Sequence, residues 1–281
     1  MTGLERSARA KVNLWLKVVG RRGDGYHLLD SMVAFADLAD TVEVSPAAEL
    51  ALEVAGPQAG TLAQESDNLA LKAARSLADK AGVAPRAAIR LTKNIPVAAG
   101  LGGGSADAAA TLRALIELWR LALPAEEVFD LARGLGADVP MCLAGRAWFV
   151  GGIGDELRPA PAIPDCGLLL VNAGVPLATE RVFAARRSSF SVVGPVKGWR
   201  DLADFADMIA LRGNDLTAPA ISLQPRIGDV LARLRTLDGV LHAAMSGSGA
   251  TCFALFPDTA HAERAAALLP AAWWRHVGTF V

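Results

Sequence analysis

The stretch Pro96-Val97-Ala98-Ala99-Gly100-Leu101-Gly102-Gly103-Gly104-Ser105-Ala106 decides how this chain is read. It follows a run at 87–92 that alternates like a strand, and it opens into a strongly helical segment at 105–119. Glycines let a backbone turn tightly and approach a ligand with no Cβ in the way. The unpaired N–H groups and the dipole at a helix start attract an anion such as phosphate. No Gly-Lys-Ser/Thr follows, so this is not a Walker A loop. No acidic residue ends a second strand at the spacing of a dinucleotide fingerprint. The bland alternative is a flexible glycine turn, and the strand-loop-helix setting counts against it. A β-branched residue at Gly103 is expected to block phosphate approach and to resist a positive φ.

Four further strings carry chemistry. Lys11-Val12-Asn13 lies in a strand expected at 10–19, where alternate residues share a face, so a cation and an amide point the same way. A solvated edge strand would look the same. Gly136-Ala137-Asp138-Val139-Pro140 puts a carboxylate in a tight turn, either as a turn former or as a rigidly held acid. Ser246-Gly247-Ser248-Gly249-Ala250 is a second anion-friendly loop, or a simple hairpin turn. Asp24-Gly25-Tyr26-His27 contains the only tyrosine, beside an imidazole. That pair suits stacking on a base and bonding its polar edge; a Tyr packed at a turn is the alternative.

The rest of the chain bounds the answer. With 281 residues, 52% apolar and 20% charged, it is long enough for one large or two moderate domains and is not disordered. A net charge of −1 argues against a nucleic-acid partner, whose footprint is a basic excess. Cys142, Cys166 and Cys252 form no CxxC pair and no metal spacing, which suits a reducing, cytoplasmic setting. No stretch has the composition of a signal peptide or a membrane span, so no membrane partner is expected. Strands are expected at 31–38, 41–45, 49–54, 167–172, 240–244 and 252–256, with a last one near His276. Helices are expected at 67–80 with Ser66 as cap, at 124–133, 202–211, 226–234 and 259–269. The two strands around the second glycine loop, with their flanking helices, suit a split β-α-β layer. The run Pro159-Ala160-Pro161-Ala162-Ile163-Pro164 is the best linker.

Taken in order, these strings resemble the GHMP kinase superfamily. Gly20-Arg21-Arg22-Gly23-Asp24-Gly25-Tyr26-His27 and the triple glycine at 102–104 are similar to the branch whose acceptor is a cytidyl diphosphate sugar alcohol. That branch serves non-mevalonate isoprenoid precursor synthesis. The resemblance implies a two-domain α+β fold with the active site in an interdomain cleft. The expected domains are 1–158, binding ATP, and 165–281, whose last strand can pack back on the first. It implies ATP with Mg²⁺ as cofactor and phosphorylation of one small-molecule hydroxyl. Lys11 and Asp138 match the catalytic pair, Asp138 accepting the hydroxyl proton and Lys11 stabilising charge on its oxygen. Pro96, Val97, Ala98, Ala99, Gly100, Leu101, Gly102, Gly103, Gly104, Ser105 and Ala106 match the ATP phosphate loop, and Asn68 the adenine side. Asn13, Tyr26, His27, Thr179 and Phe183 match substrate contacts, Phe183 facing Tyr26 across the base. No metal ligands are assigned. Ala98 and Ala99 stand where relatives often carry glycine, an extra methyl that can narrow the loop. The alternatives are a homoserine- or mevalonate-type kinase, which Tyr26-His27 argues against, a non-catalytic nucleotide-binding relative, which Lys11 with Asp138 argues against, and a decarboxylase of the same fold, whose basic groups for a carboxylate are not found.

Overall fold

The computed structural model describes residues 3–60, 68–196 and 198–281. The chain forms two compact units. The first comprises Met1–Lys11, Leu38–Val97 and Gly102–Gly145; the second comprises Val12–Asp37, Ala98–Leu101 and Arg146–Val281. The division expected between 158 and 165 is not where these units part. The proline-rich run lies wholly inside the second, and the chain changes unit at five points. The reason is the length of two strands, β1 (Leu4–Arg21) and β2 (His27–Ser45), each of which contributes to both units. A search for one polar linker cannot see that arrangement.

In the first unit, the far end of β2 pairs antiparallel with β4 (Ala88–Thr92), from Thr41↔Thr92 to Ser45↔Ala88. β3 (Ala51–Ala55) joins the other edge of β4 in parallel. The sequence suggests two strands at 31–38 and 41–45, yet β2 runs on through Asp40. Asp40 is completely buried and its carboxylate is bonded, so it does not break the strand. Helix α1 (Leu69–Ala81) buries Ala70, Ala73, Ala74, Leu77 and Ala78 and packs on α2 (Gly103–Leu118). Asn68 caps α1, and Gly82 ends it at φ 66°; the expected start at Ser66 and Asp67 lies outside the described residues. Helix α3 (Ala125–Leu135) falls where expected. The short α4 (Val139–Ala144) packs on α2 and α3. One turn and a half is too short to leave an apolar period in the sequence.

In the second unit, the near end of β2 pairs with β5 (Trp148–Gly151), and β5 with β6 (Glu156–Pro159). A separate antiparallel sheet is built from β7 (Gly167–Asn172), β8 (His242–Met245), β9 (Cys252–Phe256) and β10 (Trp274–Gly278), in the order β10-β7-β9-β8. Helices α8 (Arg226–Leu234) and α9 (Thr259–Ala267) cover it. β9, α9 and β10 make a β-α-β unit split by β7, because both outer strands run antiparallel to β7. The core joins Leu169, Val171, Val230, Leu231, Leu234 and Phe256. Helices α5 (Thr179–Ala185), α6 (Leu202–Arg212) and α7 (Thr217–Leu223) complete the unit. The last residues return to β2: Asp37 N–H donates to Thr279 O and Val281 N–H to Phe35 O, each at 3.0 Å.

Candidate functional site

In the first unit, strand β1 presents Lys11 and the start of α4 presents Asp138. Lys11 Nζ lies 2.7 Å from Asp138 Oδ2, and both side chains are largely shielded. Asp138 occupies the cap position of α4, with Pro140 in the first turn and Gly136 just before it at φ 159°. A rigid turn therefore aims the carboxylate. Cys142, one turn on, is fully buried; burial first, and then the Asp138 charge, push its thiol far above its ordinary range. It is an inert neighbour.

The glycine loop meets the same pair. Gly102 has φ 66° and caps α2 without any side-chain cap bond among the described residues. A Cβ on it would stand 2.7 Å from Lys11 Cγ. Glycine here leaves room for the Lys11 stem and leaves the first N–H groups of α2 as donors. Gly103 differs from expectation. It is already helical, and a Cβ there would come no closer than 3.4 Å to Ile95, so the positive φ belongs to Gly100 and Gly102. Under this turn lies an ion cluster that no motif in the sequence announces: Lys93 Nζ donates to Asp107 Oδ2 at 2.5 Å and also to Asp40 Oδ2. A lone acid in the alanine run Ser105-Ala106-Asp107-Ala108-Ala109-Ala110 is the one signal that could have found it. Burial by itself would lower Lys93, but Asp107 and Asp40 outweigh it and hold the ammonium above its ordinary value. Asn68 is mostly buried and its Oδ1 accepts from Ala70 N–H at 2.9 Å. The oxygen therefore serves as the cap of α1.

In the second unit, residues 98–101 are braced by the second glycine loop. A Cβ on Gly100 would stand 2.4 Å from Gly249 O. Thr251 N–H donates to Ala99 O at 3.2 Å, and Ser246 Oγ accepts from Asn13 N–H at 3.0 Å. Asn214 Nδ2 holds Met245 O and Gly247 O, each at 2.8 Å. Ala98 adopts φ 53°, a left-handed conformation costly for a residue with a Cβ. Its methyl is exposed, so the loop bears backbone strain rather than a narrowed passage.

The expected substrate residues are in this unit too. Asn13 is buried, with Nδ2 donating to Ser31 Oγ at 2.9 Å. Thr179 Oγ1 and Ser248 Oγ are 2.8 Å apart, which ties the start of α5 to the second loop. His27 and Phe183 stack, with ring centroids 4.9 Å apart and planes at 23°. Phe183 therefore packs face to face with His27. Tyr26 is 61% exposed, with the Arg22 guanidinium 5.6 Å from its ring centre. Burial, then the Arg21 and Arg186 charges, lower the His27 pKa, so the imidazole is neutral at neutral pH, one nitrogen donating and one accepting. A cavity of about 340 Å³ in this unit is lined by Trp15, Asp30 and Phe149 and reaches Ser31, the partner of Asn13.

Known proteins resemble this chain in sequence and in fold. Residues 68–146 match the family described as GHMP kinases N terminal domain, and residues 195–274 match GHMP kinases C terminal. A 4-diphosphocytidyl-2-C-methyl-D-erythritol kinase of Paramagnetospirillum magneticum is 52% identical over 98% of this chain and 97% of its own. One of Rhodospirillum rubrum is 50% identical over 95% of this chain and 90% of its own. A crystal structure of 4-(cytidine 5'-diphospho)-2C-methyl-D-erythritol kinase superposes with a TM-score of 0.80 at 38% identity, covering 99% of each chain. A homoserine kinase from Cytophaga hutchinsonii shares the fold, with a TM-score of 0.71 at 18% identity over 97% of this chain and 95% of its own.

Proposed function

The chain belongs to the GHMP kinase family, and from that premise we propose that it transfers the γ-phosphoryl group of ATP to the 2-hydroxyl of 4-diphosphocytidyl-2-C-methyl-D-erythritol. The observation that carries the chemistry is the 2.7 Å pair of Lys11 and Asp138 beside the glycine turn of α2. Phosphoryl transfer needs positioning and charge neutralisation more than covalent chemistry. The uncapped N–H groups at the start of α2 bind the phosphate oxygens. Asp138 accepts the proton of the acceptor hydroxyl. Lys11, held against Asp138, stabilises the charge that grows on that oxygen. Among the described residues no three His, Cys, Asp or Glu side chains could hold a metal ion. Mg²⁺ bound together with ATP would supply charge neutralisation at the start of α2, beside the Ser105 hydroxyl.

Substrate choice rests on the second unit. The exposed Tyr26 ring and Phe183 offer aromatic faces to the cytosine, and neutral His27 bonds its polar edge. Asn13 and Thr179 bind the sugar-alcohol side. Homoserine and mevalonate have no base to stack, and relatives of those types share the fold at far lower identity. The family matches fall on either side of residues 159–164, which supports a family-level division into 1–158 and 165–281. Three free, buried cysteines support a cytoplasmic setting. The test is ATP turnover with the cytidyl alcohol, homoserine and mevalonate in parallel. Turnover with the cytidyl alcohol alone is expected; turnover with either of the others and not with it would overturn the assignment.

A further inference from the structure

The cluster beneath the first turn of α2 has no part in the transfer step just described. Asp40, Lys93 and Asp107 are 0%, 3% and 3% exposed. Asp40 Oδ1 accepts the N–H groups of Asn94 at 2.5 Å and Ile95 at 2.8 Å, so it anchors the segment that enters the glycine loop. A Cβ on Gly103 would stand 3.4 Å from Lys93 Nζ and 3.6 Å from Asp40 Oδ2, so the cluster touches the backbone of the loop. Two carboxylates face one ammonium. With every group charged, an unbalanced negative charge would be buried directly under a site for phosphate. Asp107 Oδ1 is buried and has no hydrogen-bond partner among the described residues. An ionised oxygen without a donor is costly in the interior, and a proton replaces that cost by the smaller one of a neutral hydroxyl.

Resting on the kinase reading above, we propose that Asp107 carries a proton in the nucleotide-bound protein, so that ATP binding at the start of α2 takes up a proton from solution. Asp107 is then a positioning residue: it keeps the floor of the phosphate loop neutral. Among the described residues, the other groups that face it are few. Asp40 comes from β2 and Lys93 from the segment after β4; α4 presents Cys142, with Asp138 at its start paired to Lys11 of β1. Helix α1 packs on α2 through alanines and Leu77, and brings no charge to its buried face. Burial pushes Asp107 up to about 7, with Lys93 drawing it down and Asp40 driving it up. A bound phosphate adds a further negative charge and raises it again. Below about 7 the free protein already holds the proton; above it, binding must restore the proton, and affinity falls as pH rises.

The experiment is calorimetric titration of ATP into the wild-type protein and Asp107→Asn between about pH 7 and pH 9, each in two buffers of different ionisation enthalpy. ATP's own titration is common to both proteins and cancels in the comparison. Wild type is expected to take up a fraction of one proton and to lose affinity relative to Asp107→Asn by roughly 3- to 10-fold per pH unit, the limit set by a single proton. Equal proton uptake and equal pH slopes in the two proteins would overturn the proposal. Should Asp107→Asn fail to fold, infrared difference spectra of wild type labelled with ¹³C-aspartate decide. A protonated-carboxyl stretch that grows with ATP supports the proposal, and its absence overturns it. A protein that binds no ATP at any pH would instead defeat the kinase reading.

Discussion

Gly100 and Gly102 stand two residues apart in one loop, both in the left-handed region, yet they are required by different neighbours. Gly100, in the second unit, is pressed on Gly249 O, part of a backbone brace. Gly102, in the first, is pressed on the side chain of Lys11. One glycine serves the architecture of the loop and the other makes room for a lysine stem. A sequence of glycines looks uniform; the atoms facing each one assign its work.

That contrast can be broken by mutation. The largest effect is expected where chemistry is direct. Asp138→Asn and Lys11→Met should each lower turnover by about 10²- to 10⁴-fold while ATP still binds; near-normal turnover in Asp138→Asn removes its role as base. Next come the two glycines. Gly100→Ala forces a Cβ on rigid backbone and should cost about 2–4 kcal/mol of stability, seen as a lower Tm. Gly102→Ala meets a flexible lysine stem, so it should lose turnover out of proportion to its fall in Tm. If both variants lose stability and activity in the same ratio, the two glycines do not differ in role.

A smaller effect is expected at the aromatic residues. Base–aromatic stacking contributes about 1–3 kcal/mol, so Tyr26→Ala should weaken cytidyl-substrate binding roughly 5- to 150-fold and leave ATP affinity nearly unchanged. Equal loss for both ligands, measured by titration, would return Tyr26 to a packing role. The smallest is at Ala98. Replacing it by glycine relieves a left-handed backbone and should raise stability by about 1 kcal/mol, read from denaturant midpoints. A destabilised Ala98→Gly would mean that the exposed methyl contributes more than the strain removes.

The parts of the site legible in the sequence are those written as short contiguous strings. The glycine loop, Lys11 with Asn13, and Asp138 in its turn each declare a local geometry, and the structure joins Lys11 to Asp138 at 2.7 Å. The Asp40–Lys93–Asp107 cluster is illegible for the opposite reason. Lys93 lies 53 residues from Asp40 and 14 from Asp107, and each member alone looks ordinary: a break between strands, a loop lysine, a polar helix residue. The Phe183–His27 stack is a long-range contact of the same kind. Among elements, strands and helices with several turns follow their hydrophobic period. Helices α4, α5 and α7 do not, being six or seven residues long and held by packing.

The return of residues 279–281 to β2 bears on how the edge of that strand is covered. Thr279 and Val281 complete hydrogen bonds along Phe35–Asp37, and Phe280 bridges to Ala36. Without that short ribbon, the backbone there would be an unpaired strand edge flanked by apolar side chains, a template onto which another chain can add. Removing those three residues would therefore uncover a strand edge to which another chain can add.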